Sequence, residues 1–468
     1  MPTKLLEQNV KTQDLKDPRV KSLGLRQSIL SPVETLAQSI AGIAPSAAPA
    51  MTLCLVYGLA GKASWLAYLV ATIAVVLTAI NINVFASRSA SAGSLYAYAQ
   101  QGAGRLLGML CGWSMVLAYI MGVCACAEQA SIFIDQAQLE LFRTSLPFGV
   151  PVLCCVALSG FIAYKNIKLS AELMLWLEVA SISVITVLCV LIGAKHGWAI
   201  DTSQLALHEV GTQGFRQGLV LAVLGFIGFE AAGALGEESK EPLKDIPRAI
   251  FFSTIFSGVF FIVTAYAVVY GFSSTPIALG QCSAPLAILS KQLGFPILAG
   301  FTIAGAIVSF FAACLAAVNA GARVMLAMAD DRYYPRFFTG IHATNKTPQP
   351  CILFITVACA VVSLGLLASR QSVLDISAWS GTLATYALIF PYAVVSGAAP
   401  FALRREGKLQ MKHIIISALS VLTMSAVFLG SFLPLPAAPY CWFPILFIVY
   451  LLAGAAWYLH CHRRDRSH

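Results

Sequence analysis

Residues 42–46 read Gly42-Ile43-Ala44-Pro45-Ser46, and residues 225–230 read Gly225-Phe226-Ile227-Gly228-Phe229-Glu230. Each lies within an apolar stretch of about 20 residues, the length at which a helix crosses a bilayer. Glycine or proline interrupts both stretches, and a carboxylate stands in the second. In hydrocarbon, an opened backbone or a charge is tolerated only where it faces protein or a water-filled cavity. The two interruptions therefore predict an all-α polytopic membrane protein with a polar site at its centre.

The composition agrees. Of 468 residues, 58% are hydrophobic and 11% charged, and the mean hydropathy is +0.79; a soluble domain carries about 25% charged residues. The charges cluster between apolar runs. Residues 1–31, which include Lys4, Lys11, Asp14, Asp17, Lys21 and Arg26, have no apolar core and do not read as a cleavable signal. They are expected to form a cytoplasmic amino-terminal arm, disordered or lying on the surface.

Twelve runs match the span length of about 17–25 residues: 33–60, 64–86, 107–134, 149–166, 171–193, 215–236, 248–271, 294–325, 350–369, 374–399, 411–432 and 440–459. With the amino end inside, all but six of the 30 Lys and Arg residues fall on the inner side, the six being Lys62, Arg143, Lys195, Arg216, Lys291 and Arg370. That asymmetry predicts both termini in the cytoplasm and a multi-pass protein of the cell inner (plasma) membrane. The net charge of +9 then resides at helix ends, where anionic lipid headgroups are the expected partner and nucleic acid is not. The 13 cysteines, including the Cys124/Cys126 and Cys154/Cys155 pairs, lack the spacing and partner ligands of a metal site and read as apolar filler. No metal and no cofactor is expected, and nothing in the sequence specifies an oligomeric state.

The spans fall into units. Residues 32–193 hold spans one to five and residues 215–399 spans six to ten; an odd number of spans per unit sets the two in opposite orientations, and each opens with an interrupted helix. Residues 411–459 add two spans, and 460–468 form a cytoplasmic tail. Interrupted helices at matching positions of two halves mark the binding site of a secondary transporter. A break near Ser39, Ala41, Gly42, Ile43, Ala44 and Ser46 frees backbone N–H groups that suit a carboxylate, with Gly42 allowing close approach and Pro45 ending the ladder. Around Phe226, Ile227, Gly228, Phe229 and Glu230, freed carbonyls suit an ammonium. Two bland alternatives stay open: the glycines serve helix packing, and Phe226 and Phe229 are packing aromatics. Glu230 is either functional, as an intramembrane carboxylate is by default, or a neutral hydrogen-bonded core group.

Gly228-Phe229-Glu230 through Gly236-Glu237-Glu238-Ser239, with Pro242 and Ile246-Pro247-Arg248-Ala249, resembles the sixth-helix signature of the amino acid–polyamine–organocation (APC) transporters. The resemblance extends to Gly93-Ser94 with Tyr96 and Tyr98, and to Asn319-Ala320-Gly321-Ala322-Arg323 with Asp330, Pro335 and Thr347-Pro348. It implies a five-plus-five inverted-repeat (LeuT-like) fold with two extra C-terminal helices, alternating access, a substrate held between the two breaks, and Phe226 or Phe229 as an aromatic gate. The chain has Ala41-Gly42-Ile43-Ala44-Pro45 where many members have a Gly-rich run.

Some proton-coupled members carry a lysine in the fifth span; here the candidates are Glu172 and Glu178, with Lys165 and Lys168 only at its entrance. Glu178, Glu230 and Glu128 are the coupling candidates, for protons first, with sodium an open alternative. Glu237, Glu238, Glu241 and Asp245 face the basic candidates Arg88, Arg105, Arg323 and Arg332, either as an inner latch or as a solvated loop. The expected function is secondary active transport, by symport or exchange, of an amino acid or related small amine. A channel or membrane substrate sensor on the same fold is the alternative. No nucleotide-binding loop and no catalytic constellation appears in the spans, so an enzyme is not expected.

Overall fold

The computed structural model describes residues 22–206, 211–282, 284–431 and 438–466. Among these residues the chain is helical, without strands beyond an isolated bridge between Leu30 and Ser239. The helices are α1 (Pro32–Ile43), α2 (Leu53–Ala60), α3 (Ser64–Ala86), α4 (Leu95–Ala103), α5 (Arg105–Phe142), α6 (Gly149–Lys165), α7 (Ile167–Lys195), α8 (Thr212–Leu224), α9 (Pro242–Phe272), α10 (Pro285–Gln292), α11 (Pro296–Asp330), α12 (Gln349–Leu367), α13 (Val373–Arg405), α14 (Met411–Gly430) and α15 (Phe443–Arg466). Nine segments among the described residues are long and apolar enough to cross a membrane, the first being the interrupted run Pro32–Ala86.

The outer and inner surfaces are inverted relative to a soluble protein. Trp176, Phe256, Ile297, Val361 and Leu452 are exposed, whereas Glu128, Glu178, Glu230, Glu238 and Arg323 are buried. Apolar side chains face outward because the surrounding medium is hydrocarbon, and ionisable groups are sequestered where protein can satisfy them.

The sequence places the helix starts by simple chemistry. At α1 the Ser31 hydroxyl accepts the Glu34 N–H at 3.3 Å while the Glu34 carboxylate accepts the Ser31 N–H at 2.6 Å, with Pro32 at the first helical position; this reciprocal cap satisfies two orphan donors. Several helices run past the apolar runs that predict them. α9 begins at Pro242 rather than 248, α5 spans 105–142 rather than 107–134, and α15 continues to Arg466, so residues 460–466 of the expected tail are helical. Hydropathy registers only the apolar part of a helix, whereas the hydrogen-bond ladder continues into polar residues. The helices α4 and α10 are too short to register as spans, and the apolar pattern does not foreshadow them.

The arm divides. Residues 1–21 lie outside the described residues, as do their lysines and Arg19. Residues 22–30 are not loose: Ile29 and Leu30 N–H groups donate to Glu238 O at 2.9 Å, and Lys240 N–H donates to Leu30 O at 3.0 Å. At the other end of the chain, Trp457 Nε1 donates to Tyr333 O, just beyond α11, at 2.8 Å. Both ends therefore lie at one face of the bundle, here called the terminal face. Within the bundle α5 packs on α11 and α13, α3 packs on α9, and α1 lies against α7, α9 and α11.

Candidate functional site

The two interruptions meet each other. α1 stops because Ala44 adopts a left-handed φ of 51° and Pro45 supplies no N–H. Among the described residues, the Ser46 N–H and the Gly42 and Ile43 carbonyls take no part in backbone hydrogen bonds outside regular helix. In the second break Gly228 has φ of 99°, a conformation that a Cβ disfavours. Its N–H donates to Tyr392 Oη at 3.4 Å. A Cβ on Gly42 would stand 2.5 Å from Gly228 O, and one on Gly228 would stand 2.5 Å from Gly42 O. The breaks thus touch backbone to backbone, and Gly42 serves that contact, not only a space for ligand as the sequence suggests.

Beside this contact lies a cavity of about 440 Å³. Gly42, Ile43, Ala44, Ile227 and Gly228 line it, together with Leu221 and Leu224 of α8. Its far wall comes from α5 (Tyr119, Gly122, Cys126, Gln129), α11 (Phe310) and α13 (Thr382, Thr385). It also reaches Leu374, at the start of α13, and Tyr440, ahead of α15, at the helix ends remote from the terminal face.

The remaining predicted site residues lie behind the wall. Ser39 accepts the Ala232 N–H at 3.1 Å and so ties α1 to the short 3₁₀ helix Ala231–Leu235; Ala41 is packed in the core. Ser46 sits beside Glu178. In this conformation the rings of Phe226 and Phe229, the residues expected to gate the site, stand away from the cavity. Phe226 packs edge-on against Phe261 with centroids 5.0 Å apart, and Phe229 leans on Tyr392 at 5.1 Å. Both rings are buried and neither lines the cavity; the aromatic rings on its wall are Tyr119, Phe310 and Tyr440. The rings of Phe226 and Phe229 turn away because the tight turn around Gly228 points them into the helices behind.

Three buried carboxyls surround the cavity without lining it. Tyr119 Oη donates to Glu230 at 3.1 Å, and Tyr392 Oη donates to its other oxygen, so Glu230 is linked to the cavity wall through Tyr119 and, by way of Tyr392, through Gly228. Ser309 Oγ donates to Glu178 at 2.8 Å. Ser363 Oγ and Ser380 Oγ donate to Glu128 at 3.2 and 3.1 Å, joining α5 to α12 and α13. Glu172, by contrast, pairs with Lys168 on an exposed helix face. Among the described residues no group of three or more His, Cys, Asp or Glu is placed to hold a metal ion.

The Tyr392 hydroxyl thus accepts from Gly228 and donates to Glu230. Tyr392→Phe is expected to cost about 1–3 kcal/mol, the price of leaving a buried carboxyl oxygen and a backbone N–H unpaired. Tyr119→Phe, which removes one donor only, should cost less; thermal unfolding of the two variants in detergent checks the order.

Towards the terminal face the cavity ends in a closed polar layer. Arg323 is fully buried and holds Glu238 through two hydrogen bonds, Nε to Oε2 at 2.5 Å and Nη2 to Oε1 at 2.8 Å. Its Nη1 donates to Asn319 O at 2.9 Å, and Asn319 Nδ2 donates to Ser170 Oγ at 2.7 Å. The Glu237 carboxylate accepts from Ser22 Oγ and Leu23 N at 2.8 Å and from Gly24 N at 3.1 Å. Of the other expected latch groups, Glu241 pairs with the exposed Lys244 and Asp245 accepts the Glu241 N–H at 3.0 Å. Arg88 pairs with Glu406 instead of the loop.

Sequence reasoning missed the α5 wall. Ala118, Gly122, Ala125 and Gln129 recur at helical spacing and were legible as a face, but small residues in a membrane helix equally signal close packing.

Residues 35–456 match the family described as Amino acid permease. The chain is 25% identical over 356 residues to the Branched-chain amino acid permease BcaP of Bacillus subtilis (strain 168), covering 72% of this chain and 74% of that protein. It is 26% identical over 315 residues to the Low-affinity putrescine importer PlaP of Escherichia coli (strain K12), covering 64% and 67%. The solved structure of MhsT in complex with L-phenylalanine superposes with a TM-score of 0.58 at 14% identity, covering 87% of this chain and all of that one; at that identity the likeness concerns the fold. With nearly its whole length matched, the chain belongs to the amino acid permease family of the APC superfamily.

Proposed function

We propose that this protein is a secondary active transporter of amino acids or related small amines, working by alternating access. The observation that carries the reading is a cavity at the meeting point of two broken helices, reaching one face and sealed from the other by Glu238–Arg323 and the strand-like contact of residues 28–30. A channel would need a path through that layer. On this reading the chain makes twelve spans in a five-plus-five inverted repeat followed by two helices, sits in the plasma membrane, and has its terminal face in the cytoplasm, so the conformation described is open outward. The backbone opened at Gly42, Ile43 and Ala44 receives the substrate's carboxylate, and the backbone opened at Ile227 and Gly228 its ammonium.

Transport is coupled to protons, with Glu178 the first candidate. It lies 2% exposed, bridging α7 to α11 through Ser309 and standing beside Ser46 at the first break, where occupancy and proton state can act on each other. Glu230 organises the second break through its two tyrosines, and Glu128 fastens α5 to α12 and α13.

Purified protein in liposomes should take up a radiolabelled neutral amino acid with saturation and counterflow; flux that rises linearly without counterflow would favour a channel. Inward proton and sodium gradients applied separately identify the ion. Glu178→Gln keeps shape and hydrogen-bonding capacity, so it is expected to abolish gradient-driven accumulation while exchange continues. Concentrative uptake unchanged in that variant between about pH 5 and 8 removes Glu178 as the coupling group.

A further inference from the structure

Among the described residues, the cavity wall carries no ionisable side chain of Asp, Glu, Lys, Arg or His. The nearby carboxyls lie off the wall: Glu230 is held by two tyrosines, Glu128 by two serines, and Glu178 by Ser309 through one oxygen. A second cationic group on a substrate would be desolvated here with no anion on the wall to meet it, which is strongly unfavourable. The apolar wall suits the opposite chemistry, since Ile43, Leu221, Leu224, Ile227, Phe310 and Leu388 all contribute to it.

The wall also has a place where size is set. Gly122 lies on the cavity wall near the middle of α5, and a Cβ built on it meets nothing within 4 Å. Most glycines in the buried part of the fold are close contacts; Gly42, Gly228 and Gly236 would each clash with backbone below 3.0 Å. The absence of a side chain at Gly122 serves no helix contact, and the space it leaves belongs to the cavity. Ala118 and Ala125 flank it on the same helix face. An apolar cavity of about 150 Å³ already accommodates benzene, so about 440 Å³ leaves room for a branched or aromatic side chain as well as the backbone of an amino acid.

We propose that the site takes neutral amino acids with bulky apolar side chains and that Gly122 sets the largest side chain admitted. This rests on the transport reading above and narrows it, excluding diamines and cationic amino acids as good substrates. A methylene gained or lost in an apolar pocket changes discrimination about 10–200-fold, so a side chain placed at residue 122 should be felt directly by a large substrate and far less by a small one.

The test is kcat/KM of the purified full chain in liposomes for leucine, phenylalanine, alanine, lysine and putrescine. Leucine and phenylalanine are expected to exceed alanine, lysine and putrescine by about tenfold or more. Gly122→Val should lower the leucine-to-alanine ratio by about tenfold or more, and Ala125→Val, on the same wall, should lower it in the same direction if the first variant fails to insert. Lysine or putrescine carried as well as leucine overturns the substrate class, and an unchanged ratio in both variants overturns the role of Gly122. Saturable flux in the wrong order leaves the transporter reading standing, whereas no saturable flux of any of the five compounds defeats that reading and this one together.

Discussion

Arg323→Ala is expected to destabilise the protein by about 3–5 kcal/mol, the cost of leaving one member of a buried ion pair without its partner. Glu238 is fully buried and receives two guanidinium hydrogen bonds, so its carboxylate would be left in the interior with no counter-charge. Two comparisons sharpen the expectation. Replacing both members by methionine should be far milder, because an apolar pair of similar volume avoids the desolvation cost. The exposed pair Arg88–Glu406, broken by Arg88→Ala, should cost no more than about 1 kcal/mol. Unfolding midpoints in detergent distinguish the three. On the alternating-access reading Arg323→Ala also loosens the terminal face, so the thiol introduced by Ser170→Cys should become reactive to a membrane-impermeant reagent added from that side. An unchanged midpoint, together with no labelling of the Ser170→Cys thiol, would show that the pair does not hold this face shut.

Gly228→Ala should abolish uptake, and so should Gly42→Ala, although each adds a single methyl group. At Gly228 two independent costs combine. The φ of 99° is unfavourable for any residue with a Cβ by about 1–2 kcal/mol, and the Cβ would sit 2.5 Å from Gly42 O, which forces the two breaks apart. At Gly42 only the second cost operates, because its clash with Gly228 O at 2.5 Å arises without a positive φ. Overpacking of this kind costs about 1–3 kcal/mol, yet function suffers more than stability, since the carbonyls and N–H groups offered to a substrate move with the backbone. Gly397→Ala is the matched comparison: its Cβ meets only Val421 Cγ2, at 3.8 Å, and Gly397 does not line the cavity. Substrate-induced thermal stabilisation that survives in both Gly42→Ala and Gly228→Ala would separate the contact of the breaks from the binding site.

How much of the site could be read beforehand differs from residue to residue. Gly42, Ile43, Ala44, Ile227 and Gly228 were legible and do line the cavity, because a helix break in hydrocarbon must face protein or a water-filled cavity, and the residues at the break are the ones facing it. Phe226, Phe229 and Glu230 were legible as neighbours of the break but not in direction. Around a turn with a positive φ, successive side chains no longer follow the 100° step of a helix, so adjacency in sequence does not fix which way they point. Tyr119 and Tyr392, which hold Glu230, gave no signal at all: an aromatic residue in an apolar helix is ordinary, and only the crossing of three helices makes its hydroxyl a ligand for a carboxyl.

The sequence by itself determined that the chain is all-helical and built for a membrane, where its helices are interrupted, and which charged residues needed an explanation. Those are local properties, set by the length of an apolar run, the missing N–H of proline, and the cost of a charge in hydrocarbon. The tertiary structure alone decided that the two breaks touch through Gly42 and Gly228, that Arg323 pairs with Glu238 rather than with the other acids of the loop, and that the described residues of the cavity wall include no Asp, Glu, Lys, Arg or His while Gly122 opens into it. These depend on residues far apart in the chain being brought within a few ångströms. A glycine that packs and a glycine that makes room are the same residue in a sequence, and only the atoms opposite it tell them apart.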